Sequence, residues 1–235
     1  MTYDLVLPCY NPSKNWHQNI VEWWGRIHHI DSSIHFKLIL VNDGSTNISS
    51  HQIEFLKEHI PTMDYVWHKQ NKGKGFAIRE GAKSSKNDYL IFTDIDFPYT
   101  LQSFKDVMLS LKSGSDVVLG FREDDYYVKV PIIRKLISKV FRFFLETVLK
   151  WPITDTQCGL KGFSKEGKSL LLTTTIDRYL FDVEVIKKAV EQKDLKINPV
   201  TVSLRDGIEF SSLSPKILLR EIGNLFKVFA PTKNQ

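Results

Sequence analysis

Short apolar runs rich in β-branched residues alternate with stretches of helical periodicity through the first half of this chain. No other feature restricts the fold as strongly. YDLVL (3–7) reads as a strand that ends at Pro8, and residues 15–30 carry Trp16, Ile20, Trp23, Trp24 and Ile27 at helical spacing. FKLILV (36–41) is nearly all apolar, as a strand buried on both faces must be, and it stops at the turn signature Asn42-Asp43-Gly44-Ser45. The pattern then predicts a helix over 49–59, a strand at 63–67, a helix over 75–85, a strand at 88–94, a helix over 101–113 and a strand at 116–120. Such alternation predicts an α/β fold, a mixed, mostly parallel central sheet flanked by helices. Ligands are then expected at the carboxyl ends of the strands.

The second half reads differently. Residues 131–150 form a long helical pattern, GLKGF (159–163) a short strand, 181–191 a helix, 195–204 an extended segment and 215–229 a last amphipathic helix. No Pro/Gly/Ser-rich linker divides the chain, so its 235 residues predict one domain. No apolar run approaches the roughly 18 residues of a membrane span. The start, MTYDLVLPCYN, lacks a basic segment and meets Asp4 and Pro8 at once, unlike a secretory signal. Two cysteines, Cys9 and Cys158, make no disulfide framework and fit a reducing compartment. The net charge is +5. A nucleic-acid-binding module would need basic residues interleaved with exposed aromatics or a reading helix, and neither is evident.

Several polar groups stand where an apolar pattern breaks. Asp94 and Asp96 flank Ile95 after the strand YLIFT, and residues two apart in extended chain share a side. Two hard carboxylates aimed at one point suit Mg²⁺ or Mn²⁺, and the alternative is a plain strand-end turn with solvated acids. Asp43 ends another strand, placed either to receive a base or ribose or only to make a turn. Asn71-Lys72-Gly73-Lys74-Gly75 precedes a helix, where small residues and a lysine favour phosphate. Its spacing is neither a Walker A nor a Rossmann fingerprint. The seven histidines show no zinc spacing.

Taken in order, LVLPCYN (5–11), ILVNDGS (39–45), NKGKGFAIREG (71–81), IFTDID (91–96), VVLGFR (117–122), DTQCGLKGF (155–163) and DRYLFDVEV (177–185) resemble family 2 glycosyltransferases of the GT-A nucleotide-sugar-binding fold. The last two segments look most like the dolichyl- or polyprenyl-phosphate β-glucosyltransferases, with dolichyl-phosphate mannosyltransferases as cousins. The resemblance implies a single domain over 1–235, with a nucleotide-sugar half (1–125) and an acceptor-binding, membrane-proximal half (126–235). It implies that Pro8, Tyr10, Asn11, Asp43, Lys74, Arg79 and Asp94 line the donor, and that Asp94 and Asp96 hold Mg²⁺ or Mn²⁺. Arg122 and Arg134 would take the acceptor phosphate, and Asp182 stands where other members place a catalytic base. The family usually has two acids before Gly-Ser, and here Asn42 replaces the first. FSSL (210–213) lacks the lysine of the branch's Gly-Ser-Lys-Leu element. The QxxRW element of processive synthases is missing, which argues against a polymerase.

The implied reaction is inverting transfer of a sugar, glucose from UDP-glucose in the first place, to a polyprenyl or dolichyl phosphate. The alternative is an enzyme of surface-polysaccharide synthesis with a sugar-hydroxyl acceptor, for which a general base at Asp182 would matter. The expected partners are a UDP-sugar, a lipid phosphate and a membrane surface, with no nucleic acid. Residues 129–150 carry six basic side chains against one acid, a local +5 equal to that of the whole chain, beside an apolar face at helical spacing. That pattern suits a core helix with a solvated basic face or an interfacial helix, and with a lipid-phosphate acceptor implied it predicts a cytoplasmic protein held peripherally on the cytoplasmic face of a membrane.

Overall fold

A computed structural model of the chain describes residues 1–31, 33–122, 155 and 158–208. In chain order the elements are β1 (Thr2–Cys9), α1 (Trp16–His28), β2 (His35–Asp43), α2 (Ser50–His59), β3 (Met63–His68), α3 (Lys74–Ser84), β4 (Tyr89–Phe92) and α4 (Leu101–Lys112). They continue with β5 (Val117–Arg122), β6 (Lys161–Phe163), α5 (Lys165–Leu172), α6 (Phe181–Glu191) and β7 (Ile197–Val202). The strands form one sheet in the order β3-β2-β1-β4-β6-β5-β7. The pairs β1–β2, β1–β4, β2–β3 and β5–β7 are parallel, whereas β6 runs antiparallel between β4 and β5. The sheet is therefore mixed and mostly parallel, as the alternation predicts. The long helical patterns at 131–150 and 215–229, with Arg134 and the 129–150 basic cluster, lie outside the described residues.

Alternation within the strands divides the core into two layers. Leu5, Leu7, Leu38 and Leu40 face α1, α2 and α4, packing with Trp16, Ile20, Trp23, Ile27, Leu56, Phe104 and Leu111. Val6, Ile39, Val41, Leu90 and Phe92 face α3, α5 and α6, packing with Ala77, Ile78, Leu171, Phe181, Val183 and Ile186. Apolar residues on both faces are what sandwiching a parallel sheet between helices requires. Capping sets two of the helix starts. The Ser49 side chain accepts from Gln52 N while the Gln52 side chain answers to the Ser49 backbone, and Thr100 accepts from Ser103 N.

Two sequence expectations are corrected. β1 does not end at Pro8 but runs to Cys9. The register with β4 stops at Val6↔Phe92, so on that side Pro8 faces no strand needing its missing N–H. The helix α5, capped by Ser164, has no counterpart in the sequence reading. It is 8 residues long, too short to establish a period, and a run of three threonines follows it. Among the described residues no helix is long and apolar enough to cross a membrane.

Candidate active site

The carboxyl ends of β1, β2, β4 and β5 share one edge of the sheet with the amino end of antiparallel β6. This edge gathers almost every residue singled out from the sequence. Asp43, the last residue of β2, is 2% exposed, and its carboxylate accepts from Lys72 N (3.0 Å) and Gly73 N (2.7 Å). In this state it anchors the 71–75 loop. Gly73 has φ +125, a conformation L side chains rarely adopt, and a Cβ there would overlap Asp177 O. Asp43 and Gly73 thus set where Lys74, the first residue of α3, leaves the backbone. Asn42, which replaces the family's first acid, accepts from Ser45 N (2.9 Å) and donates to the Tyr65 hydroxyl (2.8 Å). The amide keeps the acceptor the turn needs and gains a donor an acid would lack.

At the end of β1, Asn11 (φ 44) accepts from Thr46 N (2.9 Å), joining the first two strand-end loops. Pro8 precedes it within β1, and Tyr10 between them is 53% exposed.

Asp94 and Asp96 do not lie in extended chain. β4 stops at Phe92, Phe97 N donates to Asp94 O (3.0 Å), and Phe97 has φ 47, so the two acids sit in a tight turn. The turn, and not strand alternation, brings them together. Arg205 braces it from the far end of the chain, donating from Nη2 to Asp96 O (3.0 Å) and from Nε to Phe97 O (2.9 Å). The Asp94 side chain, 37% exposed, receives the Lys74 ammonium at 2.5 Å on Oδ1. Its Oδ2 lies against Gly159, where even a Cβ would overlap it. The glycine of DTQCG is therefore a space requirement of Asp94. Asp96 shows its side chain to solvent, yet the surrounding protein withdraws enough water, with the Asp94 charge adding, to raise its carboxyl above the ordinary range.

A second lysine–aspartate pair stands beside the first. Lys161, at the start of β6, is fully buried over the Phe92 ring and donates to Asp182 Oδ1 (2.5 Å) and Cys158 O (2.5 Å). Asp182, in the first turn of α6, is 4% exposed. Burial pushes its carboxyl upward, with Lys161 and then Lys74 opposing. For Lys74, burial disfavours the charge, but Asp94 and then Asp182 outweigh it and hold the ammonium well above its usual range. Lys74, Asp94, Lys161 and Asp182 thus form one cluster of alternating charge. Lys161 has no place among the sequence candidates.

Arg122, the last residue of β5, donates to Asp155 from its backbone N (2.7 Å), Nε (2.8 Å) and Nη2 (2.6 Å). Asp155 is buried, so the fork is held in one orientation at the sheet edge. Arg79, expected along the donor, is spent elsewhere. Its guanidinium is buried on Ile176 O (2.7 Å), the Thr174 hydroxyl and the Asp177 carboxylate. With Glu184, which accepts from Thr175 N and Ile176 N, it ties the 174–177 loop to α3 and α6. That loop carries the chain toward Tyr179, which is half-exposed and close enough to act on the Lys74 charge.

The acids of the 94–96 turn fit a divalent cation of the Mg²⁺ or Mn²⁺ kind. Asp96 is raised first by burial and then by the Asp94 charge, and a cation between the two acids opposes both effects. Among the described residues no three metal-binding side chains converge, so the ion would draw its remaining oxygens from water and ligand.

The family model described as Glycosyl transferase family 2 matches residues 4–168. A dolichyl-phosphate beta-glucosyltransferase of Dictyostelium discoideum is 29% identical over 196 residues, covering 79% of this chain and 59% of that protein. A dolichyl-phosphate beta-glucosyltransferase of Trichomonas vaginalis is 23% identical over 235 residues, covering 95% and 71%. A dolichol-phosphate mannosyltransferase of Pyrococcus furiosus is 22% identical over 236 residues, covering 97% and 64%. The chain thus spans about six-tenths of the Dictyostelium relative's length. Among solved structures, glucosyl-3-phosphoglycerate synthase of Mycobacterium tuberculosis in complex with UDP superposes with a TM-score of 0.66 at 18% identity, over 97% of this chain and 79% of that one. Its complex with Mn²⁺, UDP and phosphoglyceric acid gives 0.62 over 97% and 78%. With the family model spanning most of the chain and the sheet topology alongside it, this protein belongs to glycosyl transferase family 2 and has the GT-A fold.

Proposed function

We propose that the protein is an inverting, metal-dependent hexosyltransferase that moves glucose from UDP-glucose to the phosphate of a polyprenyl or dolichyl lipid at a membrane surface. The observation that carries the acceptor is the burial of Asp182 on Lys161. A sugar hydroxyl must lose a proton as it attacks, which calls for a free base. The carboxylate expected in that role is closed off from solvent and holds a buried ammonium. A phosphate monoester has a second pKa of about 6 and is a nucleophile at neutral pH without help. The related enzymes named for dolichyl phosphate support the same reading.

In this mechanism the donor's diphosphate lies over the α3 amino end, where Lys74 offers a point charge to phosphate. Asp94 and Asp96 hold the metal, which when bound neutralises charge developing on the leaving UDP. Arg122, oriented by Asp155, and Arg134 receive the acceptor phosphate. A phosphate oxygen forms the new bond to the anomeric carbon as the bond to UDP breaks, and the configuration inverts. No proton needs to move. Arg122 apart, residues 1–125 serve the donor and 126–235 the acceptor, and the basic, apolar segment 129–150 keeps the protein on the cytoplasmic face of the bilayer. The test is release of UDP from UDP-glucose with Mn²⁺ and either polyprenyl phosphate or a sugar-hydroxyl acceptor. Release that requires the lipid phosphate is expected. Equal release with the hydroxyl acceptor would favour polysaccharide decoration.

A further inference from the structure

We propose that Lys74 is the resident cation of the 94–96 turn: in the free protein its ammonium stands on Asp94 in place of a divalent ion, and it leaves for the diphosphate when nucleotide enters, so that metal and nucleotide bind cooperatively. This rests on the metal-dependent donor reading above. Lys74 Nζ lies 2.5 Å from Asp94 Oδ1, and Asp94 Oδ2 is backed against Gly159, so both oxygens have close neighbours before any ion arrives. An ammonium and a divalent ion on one carboxylate repel each other, and one must yield.

The backbone of Lys74 is pinned, because the two preceding amides are held by Asp43. Its side chain is held at the ammonium, by Asp94. It is 18% exposed against 37% for Asp94, and its four-carbon stem can carry the charge several ångströms while the helix start stays still. A diphosphate arriving at the same helix terminus offers that ammonium more negative charge than one carboxylate does, and vacates Asp94 for the ion. Because coupling is reciprocal, metal must favour nucleotide by the same factor as nucleotide favours metal.

Mn²⁺ titrations followed by electron paramagnetic resonance, with and without UDP, test the exchange without turnover. Wild-type protein should bind Mn²⁺ weakly alone and much more tightly with UDP. Lys74→Met should bind Mn²⁺ about tenfold more tightly than wild type without nucleotide, the order a screened charge a few ångströms away supplies, and should lose most of the gain from UDP. Lys74→Gln, similar in length and polar, should behave alike and guards against a packing defect. Unchanged or weaker Mn²⁺ binding by both variants without UDP would overturn the proposal. Asp96→Asn separates the two failures. If it abolishes Mn²⁺ binding with UDP, the metal reading stands and the lysine variants alone decide. If wild type binds no Mn²⁺ even with UDP, both fall.

Discussion

Two lysine–aspartate pairs stand side by side with the same 2.5 Å separation, and they are built for opposite purposes. Lys161–Asp182 is sealed, at 0% and 5% side-chain exposure, and Lys161 has the Cys158 carbonyl as a further partner. Lys74–Asp94 opens to solvent at 18% and 37%, beside an exposed second acid. A buried pair cannot exchange partners without leaving a charge stranded in low dielectric. A partly exposed pair can, because water and incoming ligand share the cost. Geometry alone would make the two pairs equivalent, and exposure separates them into a sealed pair and an open one.

The sharpest way to break this contrast is to unpair the sealed lysine's acid. Lys161→Met leaves Asp182 buried without its partner and should destabilise the fold by roughly 3–5 kcal/mol, read by urea unfolding. Loss below 1 kcal/mol would show that water reaches the pair and that the contrast is false. Next comes the open site. Asp96→Asn should lower turnover by about a thousandfold, a loss of roughly 4 kcal/mol in transition-state stabilisation, with unfolding unchanged. Full activity in chelator, or in this variant, would remove the metal from the account. Asp155→Asn loosens the Arg122 fork and should raise the lipid-phosphate requirement about tenfold while UDP affinity stays put, since a charge-assisted fork contributes roughly 1.5–3 kcal/mol. An equal loss of UDP affinity would move Arg122 to the diphosphate side.

The smallest effect is in pH. Asp182 is raised in the folded protein, so the native state holds more protons than the unfolded chain between the ordinary carboxylate range and the raised native value. Its contribution to stability is present at lower pH and lost as pH rises through that native value. In Lys161→Met the carboxyl, deprived of its partner, rises further. The stability gap to wild type should therefore narrow as pH falls, and a constant gap would mean that Asp182 is not the group left uncompensated.

What the sequence discloses, and what it hides, divides along the same line. The strands YDLVL, FKLILV and YLIF announce themselves because burial on both faces demands nearly all-apolar runs, and chain order alone carries their strand-end residues to one edge. Asp94 and Asp96 are legible for that reason, although the turn that joins them is not. Lys161 is illegible because nothing in GLKGF marks its lysine as buried. Its burial comes from inserting β6 between β4 and β5, a contact between segments about 40 and 70 residues apart in the sequence. Arg79 misleads in the opposite sense. Its place in NKGKGFAIREG suggests a ligand, while Thr174, Ile176 and Asp177 consume it from nearly a hundred residues away. Gly159 reads as the first residue of a short strand until Asp94 is seen against it.

In the proposed reaction Asp182 balances charge and takes no proton from the acceptor. Removing both members of the sealed pair at once tests it most directly, because Lys161→Met/Asp182→Leu leaves no stranded charge and such replacements are often tolerated. The measurement is turnover of this double variant with UDP-glucose, Mn²⁺ and polyprenyl phosphate, on protein shown to be folded. The account predicts activity within about tenfold of wild type, the residual loss reflecting a weaker field on Lys74. A fall of about 10²–10⁴-fold, the range a lost general base produces, would contradict it.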